Sequence, residues 1–165
     1  MLSRISFRRP SLALAGILIA IGGCAESPSA PAQPEFVLRG AHARFSISGT
    51  ASAVIDQRGG SLVSPAGDRI VFPAGALSGP TQISITSDET YVGVELQPHG
   101  LTFPEGHLPV LQLNTAGSNA GAYQRISVSY VNESGSVAEI LPATTGNNRA
   151  STNLHHFSGY MASGY

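Results

Sequence analysis

The body of the chain alternates apolar and polar residues in short runs, and turn signals rich in glycine and proline interrupt these runs about every ten residues. In residues 81–86, for example, Ile83 and Ile85 alternate with polar side chains. A period of two gives a strand one core-facing side and one solvent-facing side, which is typical of antiparallel sheets. No comparable window outside the N-terminal segment has helical periodicity. The pattern therefore predicts an all-β fold, an antiparallel β-sandwich.

Five further runs carry the same alternation. Their apolar members are Phe45 and Ile47; Ile70 and Phe72; Val92, Val94 and Leu96; Leu111 and Leu113; and Ile126, Val128 and Tyr130. The turn signals between runs lie at residues 58–60, 65–68, 78–80, 98–100, 104–106 and 145–148. We expect one sandwich domain over residues 36–165.

Composition narrows the class of protein further. Charged residues make up 12% of the chain and the formal net charge is −1, which argues against a polycationic nucleic-acid binder. Hydrophobic residues make up 42%, enough for a core. The single cysteine permits neither an intrachain disulfide nor a cysteine-based zinc site.

The first 23 residues have the pattern of a signal peptide. Arg4, Arg8 and Arg9 precede the apolar run of residues 12–21, and small residues follow it. Ten apolar residues are too few to span a bilayer, which takes about 20. The segment is therefore predicted to direct export.

The residues before the only cysteine, Ile21-Gly22-Gly23-Cys24, resemble the lipobox of bacterial lipoproteins. The resemblance implies that Cys24 receives a diacylglycerol, that cleavage precedes it, and that the protein faces the periplasm or the cell exterior. Ala25 at the next position favours the outer membrane in a Gram-negative cell. The alternatives are an ordinary secreted protein with an incidental Cys24, or an uncleaved anchor.

Residues 24–35 are predicted to be a disordered tether. They contain Pro28, Pro31 and Pro34 and, before residue 36, no large apolar side chain, so they cannot build a core. After cleavage, the remaining chain would contain six arginines and ten acidic side chains. This negative balance disfavours attraction to anionic lipids, so the membrane attachment is expected to rest on the lipid.

Four motifs in order give residues 60–160 a resemblance to the ZU-five domain of zonula occludens proteins, netrin receptors and ankyrins. They are Gly60–Asp68 leading into the sequence IVFPAGAL at 70–77, TQISIT at 81–86, VELQPHGLTF at 94–103, and HHFSGY at 155–160. The resemblance implies a β-sandwich used mainly in protein–protein contacts. Locally, Pro73 should end a strand, Gly75 should adopt a positive φ, and Ala76-Leu77 should return to the core.

The tripeptide His156-Phe157-Ser158 is the strongest candidate for chemistry. In some relatives of the ZU-five type, His-Phe-Ser marks self-cleavage between Phe and Ser. Ser158 would attack the carbonyl carbon of Phe157 with His156 as general base, and water would hydrolyse the resulting ester. On a strand, His156 and Ser158 would share a face.

The alternative is a structural role for the same tripeptide. Residues 154–161 would then form the last strand, with Phe157 in the core and Ser158 facing outward. Only eight residues follow the candidate bond, so a cut would liberate no domain.

No other constellation indicates a cofactor or a metal, and we expect neither. A further alternative is carbohydrate binding on an aromatic platform, from among Tyr91, Tyr123, Tyr130, Tyr160 and Tyr165. The leading expectation is a non-enzymatic, membrane-anchored module that contacts a protein or another envelope component. Self-cleavage is the first alternative to it.

Overall fold

The structure, a computed structural model, describes residues 34–40 and 49–165, and the regular structure in these residues is almost entirely short antiparallel strands. These residues fall within one compact unit, Ala32–Tyr165. The predicted signal peptide, Cys24, most of the tether, and the run around Phe45 and Ile47 lie outside the described residues.

The strands are short, as the turn spacing predicts, and the described ranges contain no α-helix. One 3-10 turn covers Asn119–Ala122. The strands are β1 (Glu35–Phe36), β2 (Thr50–Ile55), β3 (Gly60–Val63), β4 (Arg69–Phe72), β5 (Thr81–Ser87), β6 (Gly93–Gln97), β7 (Val110–Asn114), β8 (Ile126–Val131), β9 (Val137–Pro142), β10 (Thr144–Gly146), β11 (Arg149–Asn153) and β12 (Gly159–Gly164).

The strands form two sheets that pack face to face, which confirms the predicted β-sandwich. The larger sheet has the order β2-β5-β6-β12-β8-β9, and β1 pairs with the far part of β12. The smaller sheet has the order β10-β11-β7-β4-β3. The last strand in sequence, β12, therefore lies in the middle of the larger sheet.

Among the segments that carry the chain from one sheet to the other at one end of the sandwich, two hydrogen-bond to each other. Residues 98–109 connect β6 to β7, and residues 154–158 connect β11 to β12. Phe157 N–H donates to the Leu101 carbonyl at 2.8 Å, and Phe103 N–H donates to the His155 carbonyl at 3.1 Å. We call this end of the sandwich the crossover end.

Residues 34–40, which we call the N-terminal segment of the described chain, enter at the opposite end of the larger sheet. Strand β12 runs away from the crossover end from Gly159 to Gly164, and Glu35 pairs with Gly164. We call the region around this pair the tether end. From there Val37 enters the core, fully buried, and its N–H donates to the Ala162 carbonyl at 2.9 Å.

The core consists of the inward-facing residues of both sheets, as the alternation predicts. The buried side chains include Ile70, Phe72, Ile83, Ile85, Val92, Val94, Leu96, Leu111, Leu113 and Val128. Strand β8 departs from the simple pattern, because Ser127 and Ser129 on its other face are also buried. Their hydroxyls lie 3.0 and 2.7 Å from Ser163 Oγ, which provides the partner that buried polar atoms need.

Local predictions around the fourth strand are confirmed. Strand β4 ends at Phe72, directly before Pro73. Gly75 has φ +84°, and a Cβ there would approach His107 Nδ1 to 2.9 Å. Ala76 and Leu77 are buried, so the turn returns the chain to the core.

A buried polar network joins the N-terminal segment to both sheets, and Asp68 is its centre. The Asp68 carboxylate is fully buried and accepts hydrogen bonds from Arg39 Nη2 at 2.5 Å, Ser87 Oγ at 2.6 Å and the Asn114 N–H at 2.8 Å. In the sequence, Asp68 is the last residue of the turn signal at 65–68. Its partners lie 19 to 46 residues away in sequence, so only the fold brings them together.

Candidate functional site

The tripeptide His156-Phe157-Ser158 lies on a crossover segment and not within a continuous strand. Strand β11 ends at Asn153 and β12 begins at Gly159, so the predicted strand over residues 154–161 is interrupted. The ladder breaks because the chain leaves the smaller sheet and joins the larger one here. Between the two strands, His156 makes a single bridge with Thr102, and the Ser158 carbonyl accepts a hydrogen bond from Leu96 N–H at 3.2 Å.

The Phe157 ring is fixed in the core between the sheets. It is 2% exposed and packs edge to face against Phe103 and Phe72, with centroid distances of 5.1 and 5.9 Å. Its carbonyl accepts a hydrogen bond from Gly100 N–H at 3.2 Å. The carbonyl oxygen of the peptide group before Ser158 therefore faces a hydrogen-bond donor.

The His156 imidazole contacts two tyrosines. Its Nδ1 lies 3.3 Å from the Tyr160 hydroxyl, which donates to the His156 carbonyl at 2.7 Å, and its ring packs edge to face on Tyr130 at 4.9 Å. Within the described residues no hydrogen bond joins His156 to Ser158. The predicted base and nucleophile line the same cleft, but they do not form a hydrogen-bonded pair.

Tyr160 anchors this cluster as a neutral hydroxyl. Burial raises its pKa well above the ordinary value for tyrosine, and the nearby charges of Glu139 and Tyr130 raise it further. Tyr160 therefore remains a hydrogen-bond donor throughout the neutral range.

The structure also places a second imidazole in the cleft, that of His99, which the sequence alone does not place near Ser158. His99 Nε2 contacts Glu95 Oε1, and Glu95 pairs across the sheet with Gly159, the residue after Ser158. The surface cleft is lined by His99, Gly100, Tyr130, Asn132, Glu133, Ser134, His156, Phe157 and Ser158. The only sequence signal for His99 was its position in a Pro-His-Gly turn, which gives no indication that it approaches residue 158.

Four histidines lie at the crossover end, since His99 and His107 occupy one crossover segment and His155 and His156 the other. His155 Nδ1 lies 3.5 Å from Glu105 Oε1, and His107 Nδ1 lies 2.7 Å from the Ala74 carbonyl. Throughout residues 34–40 and 49–165, no group of three histidine, cysteine or acidic side chains is placed to hold a metal ion. The cluster forms a polar surface at this end of the sandwich.

The five tyrosines considered for carbohydrate binding occupy different places. Tyr130 and Tyr160 are neighbours, with ring centroids 6.0 Å apart, and Tyr160 is buried. Tyr91 packs against Phe36 at 5.7 Å. Tyr123 lies against Gly164, and Tyr165 is exposed at the tether end. Tyr130 is the one of the five that lines the cleft.

Comparison with known proteins leaves the family open: no protein-family model matches the sequence, and no curated protein matches it either. In the part of the chain that the structure describes, no helix is long and apolar enough to cross a membrane.

Proposed function

We propose that the protein is a lipid-anchored β-sandwich of the bacterial cell envelope that contacts another protein or an envelope component without turning over a substrate. The observation that carries this proposal is that the N-terminal chain and the crossover segments lie at opposite ends of the larger sheet. The chain that leads from Cys24 enters at the tether end, and the histidine-bearing crossover end lies at the other end of the larger sheet. A lipid on Cys24 would leave the crossover end directed away from the membrane.

The chemistry of the crossover end supports its role as the contact surface. It combines two adjoining crossover segments with exposed imidazoles and carboxylates, including those of His155 and Glu105, on a rigid two-sheet scaffold. Binding residues in such proteins are commonly carried on connecting segments held by a scaffold. The resemblance of residues 60–160 to ZU-five domains, which serve mainly in protein contacts, is in line with this proposal.

The anchor is tested by replacing Cys24 with serine in the full precursor. We expect the wild-type protein to carry the mass of a diacylglycerol and to partition into detergent, whereas Cys24→Ser should remain unlipidated, with its signal peptide uncut or miscut. A wild-type protein of unmodified mass in the aqueous phase would contradict the proposal.

The contact surface is tested by photo-crosslinking in cells. A photoreactive residue at position 155 lies at the crossover end, and a matched control at position 145 lies in the exposed β10–β11 hairpin, at the other end of the smaller sheet. We expect a discrete adduct from position 155 and none from position 145. Adducts from position 145 alone, or from neither, would refute this assignment of the surface.

Self-cleavage at the Phe157–Ser158 bond is the second candidate function, and the hydrogen bond from Gly100 N–H to the Phe157 carbonyl favours it. The Ser158 hydroxyl would lose its proton to an imidazole and add to the Phe157 carbonyl carbon. The C–N bond would break as the nitrogen takes that proton, leaving an ester and a free amine. Water would then hydrolyse the ester to the Phe157 carboxylate and the Ser158 hydroxyl.

A cut at this bond would be invisible under native conditions. The fragment after it contains β12, which pairs with β6 on one side and with β8 on the other. The test is therefore the mass of the purified protein under denaturing conditions, with and without hydroxylamine, which captures esters. We expect the fragment beginning at Ser158 from the wild type and none from Ser158→Ala. His99→Gln and His156→Gln identify the base, and an intact wild type in aged, hydroxylamine-treated samples excludes the reaction.

A further inference from the structure

A groove at the tether end is formed by the last residues of β12, the start of β8 and the end of β9. Gly164 pairs with Ile126, and Ser127 pairs with Pro142, so these strands reach the tether end, where Glu35 also lies. The groove is lined by Gln124, Arg125, Ile126, Ser127, Ile140, Leu141, Pro142, Ala143 and Tyr165.

The exposed members of this groove combine apolar and amphipathic side chains with one cation. Ile140 is 45% exposed and Tyr165 is 40% exposed, and both are among the exposed large hydrophobic residues of the described chain. Arg125 is also exposed; none of the side chains that line the groove is acidic, and the carboxylate nearest to Arg125 is the terminal one of Tyr165. Tyrosine, aliphatic side chains and arginine together suit the boundary between acyl chains and phosphate headgroups.

The backbone fixes the position of these side chains. Tyr165 N–H donates to the Arg125 carbonyl at 3.2 Å, and Gln124 N–H donates to the Tyr165 carbonyl at 3.1 Å. These two hydrogen bonds hold the Tyr165 backbone beside Gln124 and Arg125, so both Arg125 and Tyr165 stay at the groove.

The length of chain between the anchor and the sandwich keeps this groove close to the membrane. Residues 25–34 separate Cys24 from Glu35, and ten residues span at most about 36 Å when fully extended. Glu35 is itself paired at the tether end. A lipid on Cys24 therefore holds this end at a high effective concentration next to the bilayer, where even a weak contact is populated.

We propose that the tether-end groove docks on the phospholipid bilayer, with Ile140 and Tyr165 entering the headgroup boundary and Arg125 contacting lipid phosphate. This inference rests on the lipid anchor proposed above. It fixes the orientation of the sandwich, because the crossover end then faces away from the membrane.

The groove is less suited to a partner that adds a β-strand. Strand β9 is at the edge of the larger sheet, and at the tether end it finishes with Pro142, which has no N–H to donate. An added strand would lack a hydrogen bond at Pro142, which lines the groove. Docking on a lipid surface does not require this backbone hydrogen bond.

The experiment uses the absence of tryptophan from the chain, which allows a single fluorophore to be placed at will. Tyr165→Trp reports on the groove. Val54→Trp is the matched control, because Val54 is 62% exposed and pairs with Gln82 toward the crossover end of the larger sheet. Each lipidated full-length protein is reconstituted into phosphatidylcholine–phosphatidylglycerol vesicles whose acyl chains are brominated, and its emission is compared with that in unbrominated vesicles.

We expect the bromine atoms to reduce the emission at position 165 at least about twofold and to leave that at position 54 nearly unchanged. Adding Ile140→Asp to Tyr165→Trp should remove most of the quenching, while circular dichroism verifies that the variant keeps its strands. Equal quenching at both positions, or none at position 165, would overturn the docking proposal. So would emission at position 165 that changes with protein concentration alongside chemically crosslinked dimers, which would assign the groove to a second copy.

Failure of the anchor and failure of docking are distinguishable. A purified protein that lacks the mass of a diacylglycerol contradicts the anchor. A lipidated protein without quenching at position 165 contradicts only the docking of the groove.

Discussion

Replacing Asp68 with alanine tests whether the buried network holds the N-terminal segment to the sandwich. The carboxylate accepts three hydrogen bonds, and the side chain of its cationic partner Arg39 is only 11% exposed. Removing one member of a buried ion pair typically lowers the free energy of unfolding by about 3–5 kcal/mol, because the other charge remains unpaired in a medium of low dielectric constant.

The surroundings place Asp68→Ala at the lower end of that range. Arg39 keeps the carbonyls of Asp88 and Gly93, and the Ser87 hydroxyl keeps Ser64 Oγ at 2.7 Å. Only the Asn114 N–H loses its partner outright. We therefore expect a loss of about 3 kcal/mol, a large share of the roughly 5–15 kcal/mol that stabilises a typical domain.

Urea unfolding followed by circular dichroism measures this loss, since the chain has no tryptophan. The control is Asp56→Ala: the Asp56–Arg58 pair is a surface pair, so its removal should leave the midpoint nearly unchanged. Combining Arg39→Met with Asp68→Ala should cost less than the sum of the two single changes, because both act on one interaction. A loss below about 1 kcal/mol for Asp68→Ala, or strict additivity, would refute the reasoning.

Three further predictions concern the core, a turn and a buried tyrosine. Phe157→Ala should lower the free energy of unfolding by about 3–5 kcal/mol in the same urea assay, because it leaves a cavity among three packed rings. Gly75→Ala should cost about 1–2 kcal/mol through its positive φ and its approach to His107, whereas Gly79→Ala, with open space around it, should be neutral. Because the pKa of Tyr160 is raised in the folded state, its neutral hydroxyl contributes to the free energy of unfolding at pH values below the unfolded pKa of about 10. This contribution is lost as the pH rises above that value. Tyr160→Phe should thus flatten the decline of the urea midpoint between roughly pH 9 and 11, and an unchanged decline would contradict the assignment.

The alternation of apolar residues was sufficient to predict the sandwich and much of its core. Ile83 and Ile85 occupy one face of β5, and Leu111 and Leu113 occupy one face of β7, as their spacing requires. Period-two patterning is a local property, and burial on one face of a sheet depends on it directly. Turn chemistry was equally local, as at Gly75.

The crossover segment of residues 154–158 and the polar network around Asp68 could not be predicted from the alternation of apolar residues. The residues of 154–158 alternate like a strand, but they join two sheets, and sequence pattern does not distinguish a continuous strand from one that changes sheets. His99 reaches the cleft because β6 lies beside β12, and Asp68 meets Arg39 and Asn114 because three separate segments converge. Both results depend on the order of strands in the sheets, which alternation does not encode.

The position of β12 has a consequence for the order in which the sandwich can form. This strand comes after all the strands that it joins, yet it separates β6 from β8 in the finished sheet. The two halves of the larger sheet cannot be bridged until residues 159–164 have been synthesised, so this sheet can be completed only after every other strand in it has been made.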